Sequence, residues 1–424
     1  MIDRILNEEA YACYRFLIDN TNFKEGSSGY GLTLDRSSNR TMSSIAGSGF
    51  MLSALVIGVV NKWDDYQTNL LRARNTLVNF YENVPNYKGM FLHYLEFESG
   101  KRYKKSEYST IDTTIFVNGM LTVDHFFKDD VIKEYTQKIF ERIDWEHFIY
   151  ELNGRKVFRM AYNDIIGGDY LEDNKLGWIH HWNMFSEQLT IYLLAAGSKL
   201  KPEVVKELFL GFERTVGGYG NYQFVYTPLG SLFVHQYTHA WFDFDKYYDL
   251  TGYDWFRNSN QAVLANYQYC QDHKEYQTFQ KGFWGLSSCD GPKGYRGYGA
   301  PPFITYGSAC EEMLKRTDGT VALYGIFASL PFAPEIVKQT VKKTLTLYPE
   351  LKGDYGYFDS VNFENEMWIG RDYLSIDKGI TLLMIDNYYR RTTWNNYTNH
   401  ELIQKAIEKL AFKKKDEIWQ QLKM

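Results

Sequence analysis

Apolar residues recur with a helical period in segments of roughly 11 to 20 residues, and most of those segments come in pairs. Candidate helices fall near 5–20, 43–61, 65–83, 109–128, 130–142, 183–197, 202–215, 233–249, 255–273, 319–330, 334–348, 377–391 and 399–411. Within the pairs 43–61/65–83, 109–128/130–142, 183–197/202–215 and 319–330/334–348 the link is short. Between pairs it is long and rich in Gly, Tyr, Trp and Asp. This alternation suits a closed ring of helical hairpins, inner helices alternating with outer ones: an all-α (α/α)6 barrel with its long loops on one rim, where function is usually carried. Start signals support several of the helices, with Ser109-Thr110 ahead of Ile111 and Pro202 or Pro334 in a first turn. Strand signals are few, and 89–95 and 222–226 read as small hairpins. No fixed-period repeat points to a solenoid. No Pro/Ser-rich linker divides the chain, so a single unit over 1–424 is expected.

Composition narrows the function classes. Hydrophobic residues make up 44% and charged residues 23% of the 424, enough for a large core and against disorder. A formal net charge of -5 does not supply the clustered basic surface that a nucleic-acid partner requires. No apolar run approaches the ~18–20 residues that span a bilayer, so no membrane partner is expected. The first residues lack the zones of a signal peptide, which reads as cytoplasmic. Cys13, Cys270, Cys289 and Cys310 are widely spaced, suggesting neither a disulfide framework nor a zinc ribbon. Phe412-Lys-Lys-Lys-Asp-Glu reads as a solvated helix end. Aromatic residues reach 17%, with 35 Tyr, and flat rings with polar edges suit a carbohydrate groove as well as helix packing.

Dinucleotide, Walker, zincin and nucleophile-elbow signatures are absent, so no cofactor is expected. Gly47-Ser-Gly-Phe is best read as allowing close helix packing near the ring's centre. His235 and His239, at i and i+4, share a helical face, but no third metal ligand stands at fixed spacing. Sugar-hydroxyl binding or a structural hydrogen bond fits them better than a metal. What remains is carboxylates among aromatics. Glycoside hydrolysis needs one protonated carboxyl for the leaving oxygen and one ionised carboxyl to activate water or attack carbon. Asp112, Glu187 and Asp377 each stand where a helical pattern begins after a long loop. Helix capping is the plain alternative for any one of them. The glycine-rich stretch from Trp284 to Gly299 brings Trp284, Asp290, Tyr295 and Arg296 onto a rim loop; Asp290-Gly291 also suits a turn, and Asp318 a helix cap.

An ordered set of segments carries a resemblance: Ser109-Thr-Ile-Asp-Thr, Glu187 with Leu193-Leu-Ala-Ala-Gly-Ser, Leu232-Phe-Val-His-Gln-Tyr-Thr-His-Ala-Trp-Phe-Asp, and Trp284 to Pro292. It continues through Asp318-Gly-Thr, Ser329-Leu-Pro-Phe-Ala-Pro-Glu, Ile376-Asp-Lys-Gly and Met384-Ile-Asp-Asn-Tyr-Tyr-Arg. The chain resembles the bacterial glycoamylase-like proteins, which include endo- and exo-acting β-1,2-glucanases and a domain of cyclic β-1,2-glucan synthases. The resemblance implies a single (α/α)6 catalytic domain that hydrolyses β-1,2-glucosidic bonds in β-1,2-glucan or its oligosaccharides, with neither cofactor nor metal. It implies Glu187 as general acid, with Asp377 and then Asp112 as base candidates, some relatives using a water relay. Candidate sugar contacts are Trp182, His235, Gln236, His239, Trp284, Asp290, Tyr295, Arg296 and Trp394. The chain departs from the family pattern at Phe185-Ser-Glu187, at Asp245 and at Ile385-Asp-Asn-Tyr388, which leaves linkage, chain length and endo or exo action open. Two other readings stay in play: a lyase or epimerase using His235, His239 or Tyr237 for proton transfer, and a glycan-binding protein without catalysis.

Overall fold

The computed structural model describes residues 2–228, 230–300 and 316–416. Cys310 lies outside the described residues; the thiols of Cys13, Cys270 and Cys289 are free and buried.

Among the described residues, six helical segments are buried on nearly every face: Ile45–Val60, Thr110–Phe127, Leu189–Gly197, Phe233–Gln236, Leu323–Phe327 and Ser375–Tyr389. Their sequences say why. Ile45–Val60 carries no charge at all, and a helix apolar all round has to be enclosed by others. Tyr66–Glu82, Asp130–Arg142, Pro202–Gly211, Trp255–Asp272 and Pro334–Lys343 instead bury one stripe and leave the rest partly or fully exposed. Ile2–Asp19 packs along Ser375–Tyr389, and Ile45–Val60 touches both Thr110–Phe127 and Ser375–Tyr389. One continuous cluster of buried apolar side chains runs from Leu6 to Phe412.

The glycines of 47–49 work as expected. A Cβ on Gly49 would stand 2.4 Å from the Ile115 carbonyl oxygen, and one on Gly119 only 2.1 Å from that of Gly49. The two central helices therefore meet backbone to backbone. Ser109 caps its helix, and Pro202 and Pro334 sit in first turns.

Three expected helices differ. The span 233–249 breaks into Phe233–Gln236 and the 3-10 turns Tyr237–Ala240 and Phe244–Lys246. Its side chains are anchored separately, Trp241 to Ser53 at 2.9 Å and Asp243 to Arg391, and such anchors override helical propensity. The helix expected over 319–330 shrinks to Leu323–Phe327, because Val321–Ala322 pairs as a strand with Ser360–Asn362. The helix expected from 183 begins only at Leu189. The hairpin at Tyr222–Val225 forms with Val216–Tyr219. The nine-residue strand Arg155–Asn163 was not anticipated; it holds together Ile149–Leu152, Gly177–His181 and Tyr108–Ser109. That sheet leads directly into the helix of Asp112 and toward Glu187. The chain end is also corrected: Lys413–Lys414 pairs with Tyr247–Tyr248 as a short strand, not as a helix end. Among the described residues no helix is long and apolar enough to cross a membrane.

Candidate active site

Asp112 and Asp377 occupy the first turns of two central helices, and Glu187 sits in the turn just before a third. Asp112 and Glu187 line one cavity of about 180 Å³, with His93, Tyr237, Ser288, Tyr295 and Tyr324 as its other polar residues and Ile111, Ile115, Phe233 and Ile376 among its apolar ones. A larger groove of about 600 Å³, beside Phe140, Trp145 and Lys409, contains none of these groups.

Burial pushes the Glu187 carboxyl above its ordinary pKa, and the neighbouring Asp112 adds to that rise. The Ser186 hydroxyl donates to its Oε2, and Thr238 Oγ1 donates to its carbonyl oxygen at 2.9 Å. Asp112 is held differently. Ser109 donates to its Oδ2 at 2.5 Å, while its own N–H donates back to Ser109 Oγ at 3.3 Å. On the other side His93 Nε2 lies 3.6 Å from Asp112 Oδ1, and His93 Nδ1 lies 2.8 Å from Glu107 Oε1. Burial opposes a charge on His93, but Asp112, Glu107 and Asp35 outweigh it and raise its pKa to about 9. His93 is therefore an imidazolium clamped between two carboxylates.

Asp377 lies one layer deeper and does not line the cavity. Tyr237, which does, donates its hydroxyl to Asp377 Oδ1 at 3.5 Å. Burial and the neighbouring Asp359 charge push Asp377 well above the carboxylate range. Burial raises Asp359 to about 7, although the Asp290 N–H donates to its Oδ2 at 2.7 Å and favours its charge.

His93 and Asp359 escaped the sequence reading. His93 lies within a segment read as a strand, and Asp359 is one acid in Tyr355-Gly-Tyr-Phe-Asp-Ser-Val with no helix start to mark it.

Of the expected sugar contacts, Tyr295 reaches the cavity from the hairpin Cys289–Gly291/Gly294–Arg296, with 49% of its surface exposed. Asp290, on the same hairpin, is ion-paired with Arg36 at 3.2 Å; Arg296 is half-buried on it and outside the lining. The other six belong to the core. Trp182 Nε1 donates to Thr110 Oγ1 at 3.1 Å, Trp284 Nε1 to Thr340 Oγ1 at 2.8 Å and Trp394 Nε1 to the His239 carbonyl at 2.5 Å. Gln236 Nε2 donates to the Gly325 carbonyl at 2.9 Å. His239 meets Ser259 Oγ at 2.9 Å among Phe244, Phe256 and Phe332, and His235 packs between Phe185 and Phe224. Burial lowers both imidazoles to about 3, so they are neutral. An indole hides large apolar surface once its N–H is satisfied; the broken 233–249 segment turns both histidines inward, where neither ring nitrogen of His235 has a hydrogen-bond partner among the described residues. Among the described residues no group of His, Cys, Asp and Glu is arranged to hold a metal.

The family model "Glycoamylase: Putative glucoamylase" matches residues 179–401, more than half of the chain, and spans Glu187, Tyr237, Asp359 and Asp377. The chain belongs to the glycoamylase family. Among curated proteins, this member is 22% identical over 402 residues to the exo β-1,2-glucooligosaccharide sophorohydrolase (non-reducing end) of Parabacteroides distasonis. That match covers 86% of this chain and 52% of the relative, so the chain spans about half the length of that protein. Among solved structures, the endo-β-1,2-glucanase of Chitinophaga pinensis, in complex with sophorotriose and glucose, superposes with a TM-score of 0.80 at 22% identity, covering 97% of this chain and 99% of that one. The β-1,2-glucanase of Parabacteroides distasonis superposes with a TM-score of 0.76 at 20% identity, covering 97% and 60%. These likenesses establish the fold, an (α/α)6 barrel with small sheets on its connections.

Proposed function

We propose that this glycoamylase-family protein is a glycoside hydrolase that cleaves β-1,2-glucosidic bonds in β-1,2-glucan or its oligosaccharides. The observation that carries the chemistry is Glu187: a carboxyl that burial holds toward its protonated form, at the wall of a cavity it shares with a second carboxylate. That is what donation to a glycosidic leaving oxygen requires. The linkage follows from the relatives, a sophorohydrolase and two β-1,2-glucanases.

Both oxygens of Asp112 are engaged, one by Ser109 and one by the His93 imidazolium. We assign Asp112 to orienting the sugar and stabilising positive charge at the anomeric carbon. We assign Asp377 to receive the proton of the attacking water, because the Tyr237 hydroxyl links it to the cavity. Asp377 does not line the cavity, so it is not placed to attack carbon. Direct attack by water, with inversion at the anomeric centre, follows. Of the groups a lyase or epimerase would use for proton transfer, His235 and His239 are neutral core residues outside the cavity, and Tyr237 alone lines it.

The test is product analysis on linear β-1,2-glucan, sophorose-series oligosaccharides and other glucans. Cleavage confined to the β-1,2 series is expected, and product sizes then distinguish endo from exo action. Glu187→Gln should fold normally and lose about 10²–10⁴-fold in kcat. Near-normal turnover by that variant would remove Glu187 from the acid role.

A further inference from the structure

We propose that Arg36 is a positioning residue for the substrate: through Asp290 it holds Tyr295 at the wall of the active-site cavity, fixed relative to the helix entry that carries Ile376 and Asp377. This inference rests on the hydrolase reading above and extends it to a residue that does not itself line the cavity.

The wall that Tyr295 belongs to is small. Cys289–Gly291 and Gly294–Arg296 form a two-stranded ladder, joined through Pro292 and Lys293. A hairpin of that size is marginal unless something else anchors it. Asp290 stands directly opposite Tyr295, and residues opposite each other in an antiparallel pair project from one face with Cβ atoms about 4.5–5.5 Å apart. Whatever holds the Asp290 side chain therefore stands beside Tyr295.

Arg36 holds it. Its Nη1 lies 3.2 and 3.4 Å from the two carboxylate oxygens of Asp290 and 3.5 Å from Asp372 Oδ2, and its Nε lies 3.4 Å from Asp35 Oδ2. The segment that carries Arg36 is stitched to the entry of the Asp377 helix. The Ser37 N–H donates to the Tyr373 carbonyl at 2.9 Å, and the Ser375 N–H donates to the Asp35 carbonyl at 2.8 Å. Asp372 accepts from the Ser38 N–H at 3.0 Å and from the hydroxyls of Ser37 and Ser38. Ile376, next along the chain, lines the cavity with Tyr295. The guanidinium thus joins two parts of the cavity wall that lie about 80 positions apart.

Three carboxylates share this one guanidinium. Without it their like charges oppose one another, and Asp35 and Asp372 sit in the stitched segment, so the hairpin is the member that gives way. Two backbone bonds steady Asp290 in another way: its N–H donates to Asp359 Oδ2 at 2.7 Å, and Ser360 Oγ donates to its carbonyl at 2.5 Å. They fix the inner strand and leave the face shared by Asp290 and Tyr295 to Arg36.

Arg36→Gln and Asp290→Asn test this, the second keeping both backbone bonds and removing only the ion pair. KM on β-1,2-gluco-oligosaccharides should rise about 5- to 10-fold in each, and the double variant should do no more than either alone. Tyr295→Ala should raise KM at least as much, and adding Arg36→Gln to it should change KM by less than about twofold, because the residue it acts through has gone. Effects that multiply, or a KM that Arg36→Gln leaves unchanged, would overturn the proposal. Arg36 also favours the charged forms of Asp359 and Asp377, so kcat changes for a second reason and the coupling in KM is the deciding quantity. Limited trypsin digestion reads the hairpin without turnover. Cleavage after Lys293 or Arg296 tracks how often the hairpin leaves its partners, and mass spectrometry should show it about tenfold faster in both single variants than in the wild type. Equal rates would overturn the proposal. An enzyme inactive on every β-1,2 substrate would sink the hydrolase reading, while the digestion would still decide whether Arg36 holds the hairpin.

Discussion

Replacing His93 by Gln removes a charge while keeping a side chain that can donate a hydrogen bond. In the native protein the imidazole rises from 6.5 to about 9. At about 1.4 kcal/mol per pH unit, that rise corresponds to about 3 kcal/mol of stability carried by the charged ring. The sign follows from proton uptake. Above pH 6.5 the folded state holds a proton that the unfolded chain releases, so stability is full below 6.5 and is lost as pH rises through about 9. Only 19% of the His93 side chain is exposed, so solvent takes little of the interaction away. Urea unfolding of wild type and His93→Gln at several pH values between 6.5 and 9 isolates this contribution, because every other titrating group is common to both proteins. The wild type should lose about 3 kcal/mol more than the variant across that range. The variant should also be weaker at every pH, since Glu107, 4% exposed and with its other oxygen unpartnered, depends on His93. Parallel stability curves for the two proteins would refute the charged clamp.

Tyr237→Phe keeps the ring packed against Phe50 and Phe233 but cuts the link to Asp377; kcat should fall about 10²-fold or more with little change in Tm, read by steady-state kinetics and thermal unfolding. Anomer analysis of fresh product by NMR should show inversion, and retention would exclude the route through Tyr237. Trp284→Phe should cost about 2–4 kcal/mol in denaturant unfolding and leave KM unchanged, because the indole is fully buried on Thr340; a raised KM at normal stability would mark it as a sugar contact. Gly119→Ala should destabilise by about 1–3 kcal/mol, since the new Cβ meets backbone that cannot turn aside.

The ring of helices was legible because a helix enclosed on all sides, such as Ile45–Val60, must be apolar all round, whereas an outer helix such as Pro334–Lys343 repeats its apolar residues on one face. That difference is written in the order of residues. The helix entries of Asp112 and Asp377 were legible too, because a helix start is marked within a few residues along the chain; Ser109 caps the first, and the second has no side-chain cap. The linear order does not state which side chains a loop turns inward. Trp182, His235, Gln236, His239, Trp284 and Trp394 read equally well as sugar contacts and as core, and tertiary packing decided for the core once each ring or amide was shielded from solvent. His93 and Asp359 show the converse. Each takes its chemistry from partners that the fold supplies: His93 from Glu107 and Asp112, 14 and 19 positions further along the chain, and Asp359 from Asp290 and Asp377, 69 and 18 positions away. The sequence by itself determined the paired helices and the three acids at their entrances. Only the tertiary structure decided which carboxyl keeps its proton, because that depends on burial and on neighbouring charge in space.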